Sequence, residues 1–380
     1  MPGVPSKLGY LPALDGLRAV AVLAVMAYHS GLIHGGFLGV DVFFTLSGFL
    51  ITTLLCEEHA RTGTVAIGSF YARRALRLLP ALVAFLLVWG SVLFATIPSE
   101  FRPILLGYLL GVLSYIANWL IIYWRPLGVF GHTWSLAIEE QFYLVWPVMV
   151  LLLLRWVRSP RWIVAGLVTA AASSLAWRLA LAGFSDASFP RIYSGTDTHA
   201  DGLLIGAALA VWLRHHRGWP ARGPWRCAGV ACSALGLLGL LLAAPLIPGY
   251  VWGVTALAAL ATSGVICDIL AGSSRATRWL EITWLVRLGR ISYGVYLWHW
   301  PVYFQLGVLW RPGESAAPLG LSVLAWGLTV AAAALSYFLI ERPFLMYKAR
   351  LSAKPRIDPV PAPVVPPATK NGGLALPANL

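Results

Sequence analysis

Three ionisable residues stand inside apolar helical runs near the start of the chain: Arg18, His29 and Asp41. Charge in a hydrocarbon setting is costly, so such positions point to pairing or to chemistry. Arg18 and His29 are eleven residues apart. At ~100° per residue this is three turns plus roughly 20°, which places both on one helix face about 16 Å apart. A neutral imidazole can accept a proton near physiological pH, so His29 is a candidate general base for activating a hydroxyl. Arg18 stays charged and suits a phosphate or a carbonyl oxygen. Asp41 either orients His29 or the acceptor, as a carboxylate holds a base in one tautomer, or caps the second helix after Gly39; both readings stand at this point. The bland alternatives are a core histidine bonded to a helix carbonyl and an arginine snorkelling to the interface.

Further polar residues recur along the chain. Arg73, Arg74 and Arg77 form a basic stretch, and planar guanidinium groups suit phosphates. Ser135 and Glu139 are four residues apart and so share a helix face. They are expected at an outward loop-to-helix junction, where Glu139 would hold a hydroxyl or assist proton transfer and Ser135 would either cap the helix or touch substrate. Glu140 is expected to face elsewhere. Asp201 lies in an apolar segment, His299 lies between Trp298 and Trp300, and Trp134 offers a face for stacking. Aromatic belts at a membrane interface are the commoner use of such tryptophans. The four cysteines form no C-x-x-C pair, so no metal site is expected.

The elements that must position these groups are membrane helices. Of 380 residues 59% are hydrophobic and 11% charged, against roughly 25% charged in soluble domains. The net charge of +13 is assigned to cytoplasmic loops and not to nucleic-acid binding. Eleven apolar runs appear, near 17–33, 38–56, 78–97, 104–122, 136–154, 162–182, 200–213, 227–245, 250–270, 291–310 and 318–340. If all crossed, the arginines at 155, 158 and 161 would face outward. If 104–122 dips in and returns, the remaining Lys and Arg fall on the inner side, apart from Arg102, Arg125, Arg191 and Arg311 outside and Arg18 and Arg178 within helices. The expected fold is therefore an all-α membrane protein of about ten transmembrane helices plus one re-entrant segment, with both termini cytoplasmic. Residues 1–351 would form one membrane-embedded domain. The stretch 352–380, with seven prolines, reads as a disordered cytoplasmic tail, and no second soluble domain is expected.

Six motifs in order then resemble the acyltransferase-3 family of integral membrane O-acyltransferases: LDGLRAVAVLAVMAYH with GGFLGVDVFFTLSGFLI, FYARRALRLLP, HTWSLAIEEQFYLVWP, DTHADGLLIGAALA, ISYGVYLWHWPV and ERPF. The resemblance covers about residues 10–345. It implies transfer of an acyl group (acetyl or another short chain) from acyl-CoA, as co-substrate and not as a permanently bound cofactor, to a hydroxyl of a carbohydrate or glycosylated acceptor. A surface glycan and a macrolide antibiotic are the two acceptor types considered. It implies His29, Arg18, Glu139 and Asp41 as catalytic candidates, Arg73, Arg74, Arg77 and Arg18 for the donor, and Ser135, Glu139, Trp134, Asp201 and His299 for the acceptor. The family usually has arginine before Ala-Asp-Gly, where this chain has His199. The rival reading is a transporter of a lipid-linked sugar or acyl donor, which predicts internal repeats; none is visible in the sequence.

Overall fold

The computed structural model describes residues 8–124, 126–215, 233–239, 251–272, 274–275, 277–311 and 314–352. The expected tail, Arg125 and most of the run 227–245 lie outside the described residues.

Among the described residues every regular element is helical. Helix α1 spans Pro12–His29, with proline in its first turn and Asp15 near its positive end. It stops earlier than the run 17–33 suggests, because Gly31 takes the left-handed conformation at φ +75°. His29 is thus the last helical residue and not a mid-helix one. After a 3₁₀ turn at His34–Leu38 comes α2, Gly39–Thr62. Helix α3, Ile67–Thr96, begins well before the apolar run 78–97. Alanine, arginine and leucine are strong helix formers, so the basic stretch belongs to the helix and is not a loop before it.

The run 104–122 is two helices, α4 (Arg102–Leu113) and α5 (Ala117–Tyr123), separated by a break where Tyr115 has φ +56°. Then follow α6 (Thr133–Trp156), α7 (Pro160–Phe184), the short α8 (Phe189–Ser194) and α9 (Thr196–His199), α10 (Asp201–His215), α11 (Val251–Leu270), α12 (Thr283–Arg290), α13 (Ser292–Leu306), α14 (Leu319–Ser336), a π-helical turn Tyr337–Glu341, and α15 (Arg342–Ser352).

Six described helical segments are long and apolar enough to cross a membrane: His34–Thr62, Ile67–Thr96, Thr133–Trp156, Pro160–Phe184, Gly253–Leu270 and Leu319–Tyr347. This is fewer than the ten expected. Helices α10 and α13 have only 15 residues each, short of the ~20 that span a hydrocarbon core at 1.5 Å per residue.

Close backbone approach sets the frame around α2. A Cβ on Gly48 would lie 2.0 Å from the Leu203 carbonyl oxygen, and one on Gly206 2.1 Å from that of Thr45. Only glycine lets α2 and α10 pack this tightly. The buried core joins α1, α2, α3, α6 and α13 through side chains such as Val22, Met26, Phe44, Phe85, Ile138 and Leu297.

Candidate active site

A cavity of about 260 Å³ lies among α1, α2, α3, α6 and α13. Arg18, Ser47, Arg74, Arg77, Ser135, Glu139, Glu140, Tyr143 and Tyr296 border it. Arg74 and Arg77 are three residues apart on α3 and therefore share its cavity face. Arg73, rotated ~100° away, does not border the cavity and instead pairs with Glu58 at 3.5 Å. That corrects the expectation that all three arginines act together.

The charges in the cavity are partly matched. Arg74 reaches Glu140 Oε1 at 3.2 Å and sits 3.6 Å over the Tyr143 ring. Glu139 accepts from the Ser47 hydroxyl and from Tyr143 Oη at 2.5 Å. Arg18 is 3.5 Å from Asp15. Arg77 makes no ion pair among the described residues, which leaves one guanidinium free for an anion. Glu139 and Ser135 were expected on the acceptor side; they border the same cavity as the arginines. Glu140, expected elsewhere, is there too, because Ser135, Leu136, Glu139, Glu140 and Tyr143 line the cavity from one face of α6. Ser135 is not the helix cap either, since His132 holds that position. Its hydroxyl contacts Tyr296 Oη at 2.6 Å, and Tyr296 Oη also donates to the His132 carbonyl at 3.1 Å.

His29 lies beyond this wall. It does not border the cavity, although Arg18 on the same helix does. The ring of Tyr296 packs 5.2 Å from that of His299, and His299 Nε2 is 3.1 Å from His29 Nδ1. His299 Nδ1 is 2.6 Å from the Tyr296 carbonyl oxygen, which can only accept. The proton of a neutral His299 is therefore on Nδ1, and its Nε2 must accept from His29 Nδ1–H. By this assignment His29 carries a lone pair on Nε2. His29 is half-buried whereas His299 is fully buried.

Asp41 neither orients His29 nor caps α2. No side-chain bond caps α2, and the carboxylate bonds His199 Nε2 at 2.9 Å, not His29. His199 Nδ1 in turn meets the Tyr193 carbonyl at 2.6 Å. Asp201 is likewise engaged within the protein. Arg178 grips it with two bonds, at 3.0 and 2.8 Å, and both side chains are buried. Trp134 does not border the cavity but packs on Tyr193 and His199, with ring centroids 5.0 and 5.4 Å away. Sequence reasoning missed Arg178 as a partner, although a lone charge in an apolar helix demands one. It also missed Tyr296, for which no sequence signal exists.

A family profile describing an acyltransferase domain matches residues 11–341. The chain belongs to that family. Among similar proteins, the peptidoglycan O-acetyltransferase OatA of Listeria monocytogenes is 34% identical over 311 residues, covering 77% of this chain and 49% of the relative. The O-acetyltransferase OatA of Staphylococcus aureus is 33% identical over 358 residues, covering 88% of this chain and 57% of the relative. This acyltransferase domain thus spans about half the length of these curated relatives. No solved structure matches the chain. With its apolar helices, the domain is that of a multi-pass membrane protein.

Proposed function

We propose that the chain is a membrane O-acyltransferase that moves an acetyl or other short acyl group from acyl-CoA to a hydroxyl of a glycan or glycosylated small molecule, a macrolide among the latter. The observation that carries this reading is the arrangement of the histidine pair: His299, held by the Tyr296 carbonyl, leaves a lone pair on Nε2 of partly buried His29. Family membership and the two O-acetyltransferase relatives support the reaction class.

His29 Nε2 removes the acceptor's hydroxyl proton. The hydroxyl oxygen attacks the thioester carbonyl carbon, forming a C–O bond, and collapse of the adduct breaks the C–S bond. The proton on His29 passes to the departing CoA thiolate, which restores the base. Arg18, Arg74 and Arg77 hold the CoA phosphates at the cavity, and Arg77, which makes no ion pair among the described residues, contributes most per residue. The pantetheine arm needs to pass Tyr296 and His299 to bring the thioester from the cavity to His29. In this reading both termini are cytoplasmic, the protein lies in the plasma membrane with about ten crossings, and α4–α5 is the segment that turns back.

The test is purified full-length protein in nanodiscs with radiolabelled acetyl-CoA and a panel of hydroxylated acceptors. Wild type yields labelled ester and His29→Gln yields none above background. No labelled product from wild type, or full activity in His29→Gln, would overturn the proposal.

A further inference from the structure

Beyond the cavity, a row of rings continues from His29 along the end of α1. Trp300 stands edge-on to His29 with centroids 4.9 Å apart, His29 to Tyr28 at 5.1 Å, Tyr28 to Trp310 at 5.5 Å, and Trp310 to His34 at 5.1 Å. His34 is exposed and the other four are half-buried, so ring surface remains uncovered beside the base. Trp310 is tied to the catalytic candidate itself: its backbone N–H donates to the His29 carbonyl at 2.8 Å. Its indole can lie against α1 because residue 31 is glycine; a Cβ there would come 2.7 Å from Trp310 Cδ1.

An interfacial belt tryptophan keeps its indole N–H for water or lipid headgroups. Here both indole N–H groups are already committed, Trp300 to the Gly128 carbonyl at 2.9 Å and Trp310 to the Glu314 carbonyl at 2.8 Å. What these residues still offer is apolar ring surface. At the edge of the row Arg311 and Glu314 expose charged side chains, 73% and 51% accessible. Apolar rings with a charged rim match a pyranose, whose C–H face is apolar and whose edge is a ring of hydroxyls. We propose that Trp310, Tyr28, Trp300 and His34 form a sugar-binding platform that lays a pyranose ring of the acceptor across the end of α1, with one of its hydroxyls at His29. This rests on the acyl-transfer reading for its purpose but is tested by binding alone.

The test measures affinity by intrinsic tryptophan fluorescence on the purified full chain without acyl-CoA. The probes are N-acetylchitotetraose for a glycan source and 4-nitrophenyl β-glucoside for a glycosylated small molecule, with glycerol as a hydroxylated probe lacking a ring. Wild type binds at least one glycoside and binds it at least tenfold more tightly than glycerol; which one it prefers identifies the source. Trp310→Leu weakens that binding at least tenfold, and Trp310→Tyr retains it within threefold. His34→Leu, on an exposed turn where folding is not at stake, weakens it two- to fivefold. The proposal falls if neither glycoside binds, if glycerol binds equally well, or if Trp310→Leu and His34→Leu bind as wild type does. Acyl transfer is assayed separately on wild type, so sugar binding without transfer would sink the enzymatic reading and leave the platform standing.

Discussion

Two polar clusters lie within the helices of this chain, and they differ in how completely they are satisfied. In the first, Arg178 and Asp201 share two hydrogen bonds, Arg178 adds the Thr198 carbonyl and Thr255, and Asp41 bonds His199. Its charged side chains are at most 1% exposed. In the second, Arg77 borders the cavity with no ion pair among the described residues, and His29 keeps a lone pair on a partly buried ring. The first has little left to offer a ligand beyond one unpartnered oxygen, Oδ2 of buried Asp41. The second is held ready for groups it does not yet touch. Burying a charge in apolar surroundings is costly in both places, but only the second remains open to ligand.

Substitutions should separate the two clusters. The largest effect is expected at His29, where His29→Gln lowers acyl transfer by about 10²–10⁴-fold, the usual contribution of a positioned base, with no change in melting temperature. In the closed cluster the loss should be in stability. Asp201→Asn leaves Arg178 buried without a counter-charge and destabilises by about 3–5 kcal/mol; thermal melting in detergent checks this, and a double Arg178→Met, Asp201→Leu variant should recover most of the loss. If Asp201→Asn instead melts like wild type and only raises the acceptor KM, the division between the clusters is wrong.

A smaller effect is expected at the cavity. Arg77→Gln removes one charge-assisted bond to a donor phosphate and raises the KM for acyl-CoA about tenfold, while the acceptor KM stays within twofold. Arg73→Gln, facing Glu58, should move neither by more than about twofold, as a partly exposed pair contributes little. The smallest effect belongs to Asp197, outside the long helices. Burial pushes its carboxyl up, but hydrogen bonds from Arg191 and Trp177 outweigh this and hold it below the usual carboxylate range. A depressed carboxyl stabilises above its unfolded pKa and loses that contribution as pH falls through the folded value. Asp197 is 41% exposed, so the contribution is at most about 1 kcal/mol. Wild type and Asp197→Asn should differ by a few degrees in melting at pH 7 and converge as pH falls through the lowered carboxyl value of the folded state.

Much of this was legible in the amino-acid sequence. Composition required helices in a membrane, since nothing else hides this much apolar surface with so few charges. The motifs from LDGLRAVAVLAVMAYH to ERPF carried the family resemblance. Arg18 and His29 stood out as ionisable residues in apolar runs, Arg73, Arg74 and Arg77 as a basic stretch, and His299 as a histidine between two tryptophans. By the same criterion Asp41 and Asp201 stood out equally, and there the reading went astray. An apolar helix shows that a charge needs a partner but not which partner it takes.

That choice belongs to tertiary structure. His29 meets His299 across 270 positions and Asp41 meets His199 across 158; no helical period reaches so far. The rotation of α3 that turns Arg74 and Arg77 inward and Arg73 toward Glu58 depends on a helix start that the apolar run does not mark. The sequence by itself determined the membrane-helical class, the family and the set of costly polar residues, because these follow from local composition and short-range order. Only the packed structure decided which of them neutralise one another and which are left free, because hydrogen bonds and ion pairs form at a few ångströms, and those distances are set by how the helices cross.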